Sequence, residues 1–308
     1  MKKSFIALIA TLLYAAVSTA ATLPIDIPYA WDVGPHGDLT VTVPLDVPPG
    51  KPQPKLSLIW TNGKPGGAAG YGWRLGGLDA IQLCPKNKRQ DGAWSNITMG
   101  DDNDYSRNRL CYGSTRLILT SGKALSDGAV YEPEIRQQYR VIAHGSSGQG
   151  PAWFELDKSD GSVLTFGRDP NSYVKPVGDD ILIWGVVEDR DAFGNKITYG
   201  YAPVTDTVNV LKPSDITYPA GKIHITYTPN SERDDVQRGR VGVGGALWAP
   251  SDLIGSIDFA SYKYQLTYST NEVTHSHYLT SIQQCGKTDC SEPLKFTYPD
   301  WSPGTPSF

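Results

Sequence analysis

The chain has 308 residues, 32 glycines, 23 prolines and a formal charge of −4. A mildly acidic balance excludes the basic stripe of a nucleic-acid binder and a cationic membrane-surface patch. Only 19% of residues are charged, while Tyr (17) and Trp (8) are frequent, a mixture that favours short strands and turns over helices.

Residues 1–20 read as an export signal. Lys2 and Lys3 precede an apolar stretch from Phe5 to Val17, and Ser18-Thr19-Ala20 offers a small-residue cleavage site. The alternative is an uncleaved anchor, but the stretch is short for a membrane span. Residues 21–36 form a lead.

From 38 to 47 the pattern alternates, with Leu39, Val41, Val43, Leu45 and Val47 on one face and Thr40, Thr42, Pro44 and Asp46 on the other. This predicts a half-buried strand. Pro44 cannot donate to a ladder, so an edge strand or a bulge is expected there. Pro48-Pro49-Gly50 ends it, and a second strand is expected at 55–60. Residues 62–67 are a loop by composition. Further on, strand-like runs at 153–156 and 162–166 flank Asp160-Gly161, which predicts a hairpin with a loop of about five residues. Asp191-Ala192-Phe193-Gly194-Asn195 predicts another turn.

An apolar-Thr-Tyr tripeptide recurs at Ile197-Thr198-Tyr199, Ile216-Thr217-Tyr218, Ile225-Thr226-Tyr227, Leu266-Thr267-Tyr268 and Phe296-Thr297-Tyr298. In a strand the apolar residue and the tyrosine share one face and threonine takes the other. The uneven spacing excludes a strict solenoid or propeller period and suits a meander of hairpins. Chance in a chain rich in Thr and Tyr is the bland alternative. The tail, 299–308, reads as linker, and a sub-boundary is possible near 169–176.

Cys84, Cys111, Cys285 and Cys290 allow three pairings. Proximity in sequence favours Cys84–Cys111 and Cys285–Cys290, against the alternative of free buried thiols. Four residues between Cys285 and Cys290 do not fit redox or common zinc spacing.

Catalytic signatures are missing: there is no nucleophile elbow, P-loop or zinc-protease helix. The glycines at 239–245 lack dinucleotide spacing. Glu132-Pro133-Glu134 resembles the paired glutamates of mono-ADP-ribosyltransferases, yet the interposed proline favours a solvated strand edge. His275 and His277 could share a strand face, with no third metal ligand suggested. Asp101, Asp102 and Asp104 lack the glycine and terminal glutamate of a calcium loop and read as a polar loop. Asp189 and Asp191 read as turn formers. Asn96-Ile97-Thr98 matches a glycosylation acceptor. The tryptophans could stack on sugars, though in an all-β protein such rings are more often core. The residues call for no cofactor.

Several stretches in order resemble one family. Gly37-Asp38-Leu39-Thr40 leads to Val43-Pro44-Leu45-Asp46-Val47-Pro48-Pro49-Gly50, followed by Gly70-Tyr71-Gly72-Trp73-Arg74-Leu75-Gly76-Gly77-Leu78. Arg109-Leu110-Cys111-Tyr112-Gly113, Asp160-Gly161-Ser162, the Asp191 to Asn195 turn with Tyr199-Gly200-Tyr201, and the Cys285 to Tyr298 block complete the series. This order, covering 37–298, resembles the SpvB-type N-terminal domain of insecticidal toxin-complex B components, related to Rhs and YD-repeat proteins. Pro48, Pro49, Gly50, Gly70, Gly72, Trp73, Gly194 and Asn195 match its structural motifs.

The resemblance implies an all-β fold: a large antiparallel meander or sandwich of short hairpins, like the start of an Rhs or toxin-complex shell. It implies a non-enzymatic scaffold, exported, with a toxin-complex C or Rhs-like chain, or a second copy, as partner. The chain is far shorter than usual family members, so a truncated or free-standing relative is expected. A secreted carbohydrate-binding β protein using exposed Trp and Tyr is the rival.

Overall fold

The computed structural model describes residues 26–298 except 35–36, 64–65, 101–103, 136, 204–209, 229–240, 244–245, 249–251 and 272–275. The expected export signal at 1–20, the tail from 299, Asp101, Asp102, His275 and most of the 239–245 glycines lie outside the described residues.

The first sheet has four antiparallel strands: β1 (Ala30–Val33), β2 (Leu39–Pro44), β3 (Ser57–Thr61) and, after the two-residue strands β4 (Gly66–Gly67) and β5 (Gly70–Tyr71), β6 (Trp73–Gly76). The order β1-β2-β3-β6 corrects one expectation: β2 is interior and not an edge. Pro44 is tolerated because β1 pairs only as far as Thr42, so its missing N–H faces no ladder partner on that side. The alternation of 38–47 is kept: Val43, Leu45 and Val47 are buried, and Pro44 and Asp46 are exposed.

Seven consecutive strands then form an antiparallel run: β7 (Ala80–Cys84), β8 (Arg109–Tyr112), β9 (Thr115–Ser121), β10 (Val130–Pro133), β11 (Tyr139–His144), β12 (Trp153–Lys158) and β13 (Val163–Phe166). After the short β14 (Tyr173–Val174), β15 (Ile183–Arg190) pairs with both β7 and β13 and closes an eight-stranded barrel. Closure removes free edges from this half of the molecule. The interior is filled by Ile81, Leu110, Tyr131, Val141, Phe154, Leu156, Phe166 and Trp184, all buried, with Phe154 and Trp184 meeting edge to face at 4.9 Å. Tyr105, on a short 3-10 turn (Tyr105–Arg107), is buried and donates its hydroxyl to the Ile181 carbonyl at 2.5 Å. Gly150 leaves room for that ring, since a Cβ there would lie 2.4 Å from it.

β15 belongs to two structures. Its start pairs with β7 and its end with β16 (Lys196–Tyr201), from which an open meander continues through β17 (Pro213–Tyr218), β18 (Gly221–Thr228), β21 (Leu253–Asp258), β22 (Lys263–Thr270), β23 (His277–Cys285) and β24 (Leu294–Lys295). A separate hairpin, β19 (Val241–Val243) and β20 (Ala246–Trp248), lies in the sequence between β18 and β21. Trp184-Gly185-Val186-Val187 is buried without alternation, as expected for a strand covered on both faces.

One short helix, α1 (Lys88–Asp91), is capped by Asn87, whose side chain accepts the Gln90 N–H at 2.9 Å. Asp91 anchors it to the barrel: its carboxylate, 4% exposed, meets Arg109 of β8 at 2.9 Å and Arg116 of β9 at 2.5 Å. Arg116 in the first place holds the Asp91 carboxyl well below the usual carboxylate range, against the opposing effect of burial.

Candidate assembly surface

The apolar-Thr-Tyr copies divide the meander into two chemically different faces. Ile197, Ile216, Ile225 and Leu266 are buried, whereas Thr217, Thr226 and Thr267 are exposed. Four of the tyrosines reach from the apolar side to backbone carbonyls. Tyr218 donates to Pro48 O at 2.9 Å, Tyr227 to Pro213 O at 2.9 Å, Tyr268 to Ile254 O at 2.7 Å and Tyr298 to Leu279 O at 2.8 Å. At Tyr227 and Tyr268 the pairing shifts register, with an extra residue, Gly255 or Thr280, in the neighbouring strand.

Residues 45–56 cover the apolar face, and tyrosines fasten them there. Besides Tyr218, Tyr264 accepts the Asp46 N–H at 3.0 Å and Tyr262 donates to the Asp46 carbonyl. Gly50 sits against the Tyr218 ring; an added Cβ would stand 3.0 Å from it. Gly70 and Gly72 are similarly constrained: both have positive φ, and a Cβ would lie 2.9 Å from the His277 carbonyl and 2.5 Å from Trp60 Nε1, respectively. Pro48 is half-buried under this cover and Pro49 is exposed.

The first sheet carries a row of paired residues, Trp31, Val41, Trp60 and Trp73, directly opposite one another and therefore on one face. Trp73 is buried. Its Nε1 donates to the Tyr298 hydroxyl at 2.8 Å, and its ring meets Phe296 at 4.8 Å. Burial pushes the Tyr298 phenol up to about 12, with the Trp73 hydrogen bond acting the other way. Beside this row runs a groove of about 360 Å³ walled by Tyr29, Val41, Trp60 and Trp73 on one side and Leu294 to Tyr298 on the other. At the margin the rings are open to solvent: Trp31, on an edge strand all of whose residues are exposed, is 69% exposed, and Tyr29, just before that strand, is 60% exposed.

The opposite, polar face of the meander lines a second hollow of about 420 Å³, between Arg168, Asp169, Glu188, Lys196, Asp215 and Lys222. Its charges largely neutralise one another. Lys196 meets Glu188 at 3.4 Å, and Lys222 meets Asp215 at 2.9 Å.

The other sequence-singled residues serve the scaffold. Glu132 is exposed on β10, and Glu134 accepts from the Gln90 side chain beside Arg116. Asp104 caps the 3-10 turn by accepting the Ser106 N–H at 3.1 Å. Asp191 accepts from the Phe193 and Asn195 backbone at 2.9 and 2.8 Å, Asn195 Nδ2 donates back to it, and Gly194 supplies the positive φ. Asp189 is half-buried, and burial raises its pKa. His277 opens β23, and no group of three or more candidate metal ligands occurs among the described residues. Cys84 is bonded to Cys111, with Cα atoms 6.0 Å apart, and Cys285 to Cys290. Trp31 and Trp94 are the exposed indoles among the described residues, while Trp73 and Trp184 are core.

The Asp91 cluster escaped sequence reasoning, since Lys88-Arg89-Gln90-Asp91 has the composition of a solvated run. The Asn87 cap and the Gly92 stop were its available signals.

The profile of the family described as Salmonella virulence plasmid 65kDa B protein, SpvB, matches residues 33–220. The chain belongs to the SpvB family. Its fold agrees with the N-terminal domain of effector protein SpvB from Salmonella typhimurium strain LT2, with a TM-score of 0.59 and 15% identity over 79% of this chain and 98% of that one. It is also similar to a crystal structure of TcdB2-TccC3 (TM-score 0.69, 14% identity, 90% of this chain) and to the Photorhabdus luminescens Tc holotoxin pore (0.65, 12%, 83%). The chain spans only 17% and 15% of those two proteins. No curated protein matches it significantly.

Proposed function

We propose that this SpvB-family chain is an exported, non-catalytic module of a toxin-complex or Rhs-like virulence system, working by assembly with a partner chain. The observation that carries the reading is the exposed edge of the first sheet, where Tyr29, Trp31 and Val33 stand unpacked beside an aromatic groove. An apolar edge of this kind invites strand addition or burial by another chain. The fold similarity to TcdB2-TccC3 supports a toxin-complex C or Rhs-like chain as that partner, with a second copy as the alternative. Lys2, Lys3 and the apolar stretch after them support export, as do two disulfides, which persist in oxidising compartments. No helix among the described residues is long and apolar enough to cross a membrane.

The test is sedimentation of purified residues 21–308 with a TccC-type chain. A complex that Trp31→Ala weakens is expected. Absence of any complex at micromolar concentration contradicts the proposal. The same exposed rings, Tyr29 and Trp31, favour the rival reading of glycan binding, which predicts glycan-array signals lost in Trp31→Ala.

A further inference from the structure

The segment after Cys290 forms a strap. Ser291 N donates to Gln284 O and Gln283 Nε2 to Ser291 O, both at 2.8 Å. Leu294 and Lys295 pair with Ile282 and Ser281 of β23, and Phe296 N donates to Thr280 O at 2.9 Å. The strap ends over the first sheet, where Phe296 and Tyr298 cover Trp73. One whole wall of the aromatic groove is therefore this strap. Its noncovalent hold on β23 is small: two paired residues and a few hydrogen bonds. The Cys285–Cys290 bond ties its start to the end of β23.

The two disulfides differ in setting. Cys84 and Cys111 join neighbouring strands of the closed barrel, and both are half-buried. Cys285 is 4% exposed, but Cys290 is on the surface. We propose that Cys285–Cys290 is a thiol-accessible clasp that sets the strap over the aromatic groove, so that its reduction opens the groove without unfolding the barrel. A small-molecule thiolate attacks the sulfur of the surface residue Cys290 and forms a mixed disulfide there, and the Cys285 thiolate leaves. A second thiolate attacks the outer sulfur of that mixed disulfide and releases Cys290. Two reductant thiols become one disulfide, and their two protons end on Cys285 and Cys290. Opening only the strap costs less than global unfolding, because it exposes a few contacts and leaves the ring of strands intact.

The experiment treats the folded protein with increasing glutathione, traps free thiols with iodoacetamide and maps them by peptide mass spectrometry. Amide exchange is followed in the same samples. Cys285 and Cys290 should be alkylated while Cys84 and Cys111 remain bonded. Exchange in 291–298 should then rise roughly tenfold, with β7 to β13 unchanged. Reduction of all four cysteines together, resistance of Cys285–Cys290 until the protein unfolds, or unchanged exchange in 291–298 after reduction would each overturn the proposal. A Cys285→Ser, Cys290→Ser double variant should show the open strap without reductant. Failure of that variant to fold would contradict a bond that breaks without unfolding.

Discussion

The barrel and the meander are built from the same short antiparallel strands, yet they satisfy their edges differently. The barrel closes on itself through β15 and buries its apolar residues inside a ring. The meander stays open, so its apolar face needs a separate cover, supplied by residues 45–56 and fastened by tyrosine hydroxyls. Closure makes stability a matter of packing volume. An open sheet makes it a matter of specific clips, and it leaves edges available for assembly.

The most destructive way to probe the contrast is from inside the ring. Trp184→Ala should cost about 3–5 kcal/mol, because a fully buried indole against Phe154 leaves a cavity that strands on every side cannot collapse into. Urea denaturation checks this, and a loss below about 1 kcal/mol would mean that the barrel is loosely packed.

Next comes the anchor at the barrel end. Asp91→Asn should cost about 3 kcal/mol by leaving Arg116 buried without its counter-charge. The sign of the pH dependence follows from the lowered pKa of Asp91. The folded group ionises below its unfolded range, so its contribution is present above about pH 4 and is lost as pH falls through the folded value. Wild type should therefore lose stability in acid more steeply than Asp91→Asn, as pH-dependent thermal melts would show.

Tyr218→Phe should cost only about 1 kcal/mol, the net value of one hydrogen bond. Its signature is local. Amide exchange in 45–50 should speed up while the barrel strands are unaffected. Equal acceleration in both regions would erase the distinction between clipped cover and closed ring. Smallest of all, Phe193→Ser at a hairpin tip, 91% exposed, should change stability by less than about 0.5 kcal/mol.

Much of this architecture was legible in the sequence because strand alternation is a local property. The 38–47 pattern, the Asp160-Gly161 hairpin and the Asp191 to Asn195 turn all have local chemistry that specifies them. The shared face of the isoleucines and tyrosines was readable for the same reason. Barrel closure was not readable, since pairing β7 with β15 joins Ile81 to Trp184 across a hundred residues of chain. The interior position of β2 was missed because Pro44 looks the same whether its missing donor faces solvent or the end of a shorter neighbour. Of the candidate surface, the aromatic residues were visible as composition. Which rings are core and which are open depends on the strap and the cover, and no single segment encodes that.

The most direct test of assembly through the exposed edge of the first sheet compares two surface variants in sedimentation with a TccC-type chain. Trp31→Asp, at the exposed edge of the first sheet, should abolish the complex, whereas Phe193→Asp, on the turn that follows the barrel strand β15, should leave it unchanged. Equal binding by both variants, or loss only with Phe193→Asp, would contradict docking at the open edge.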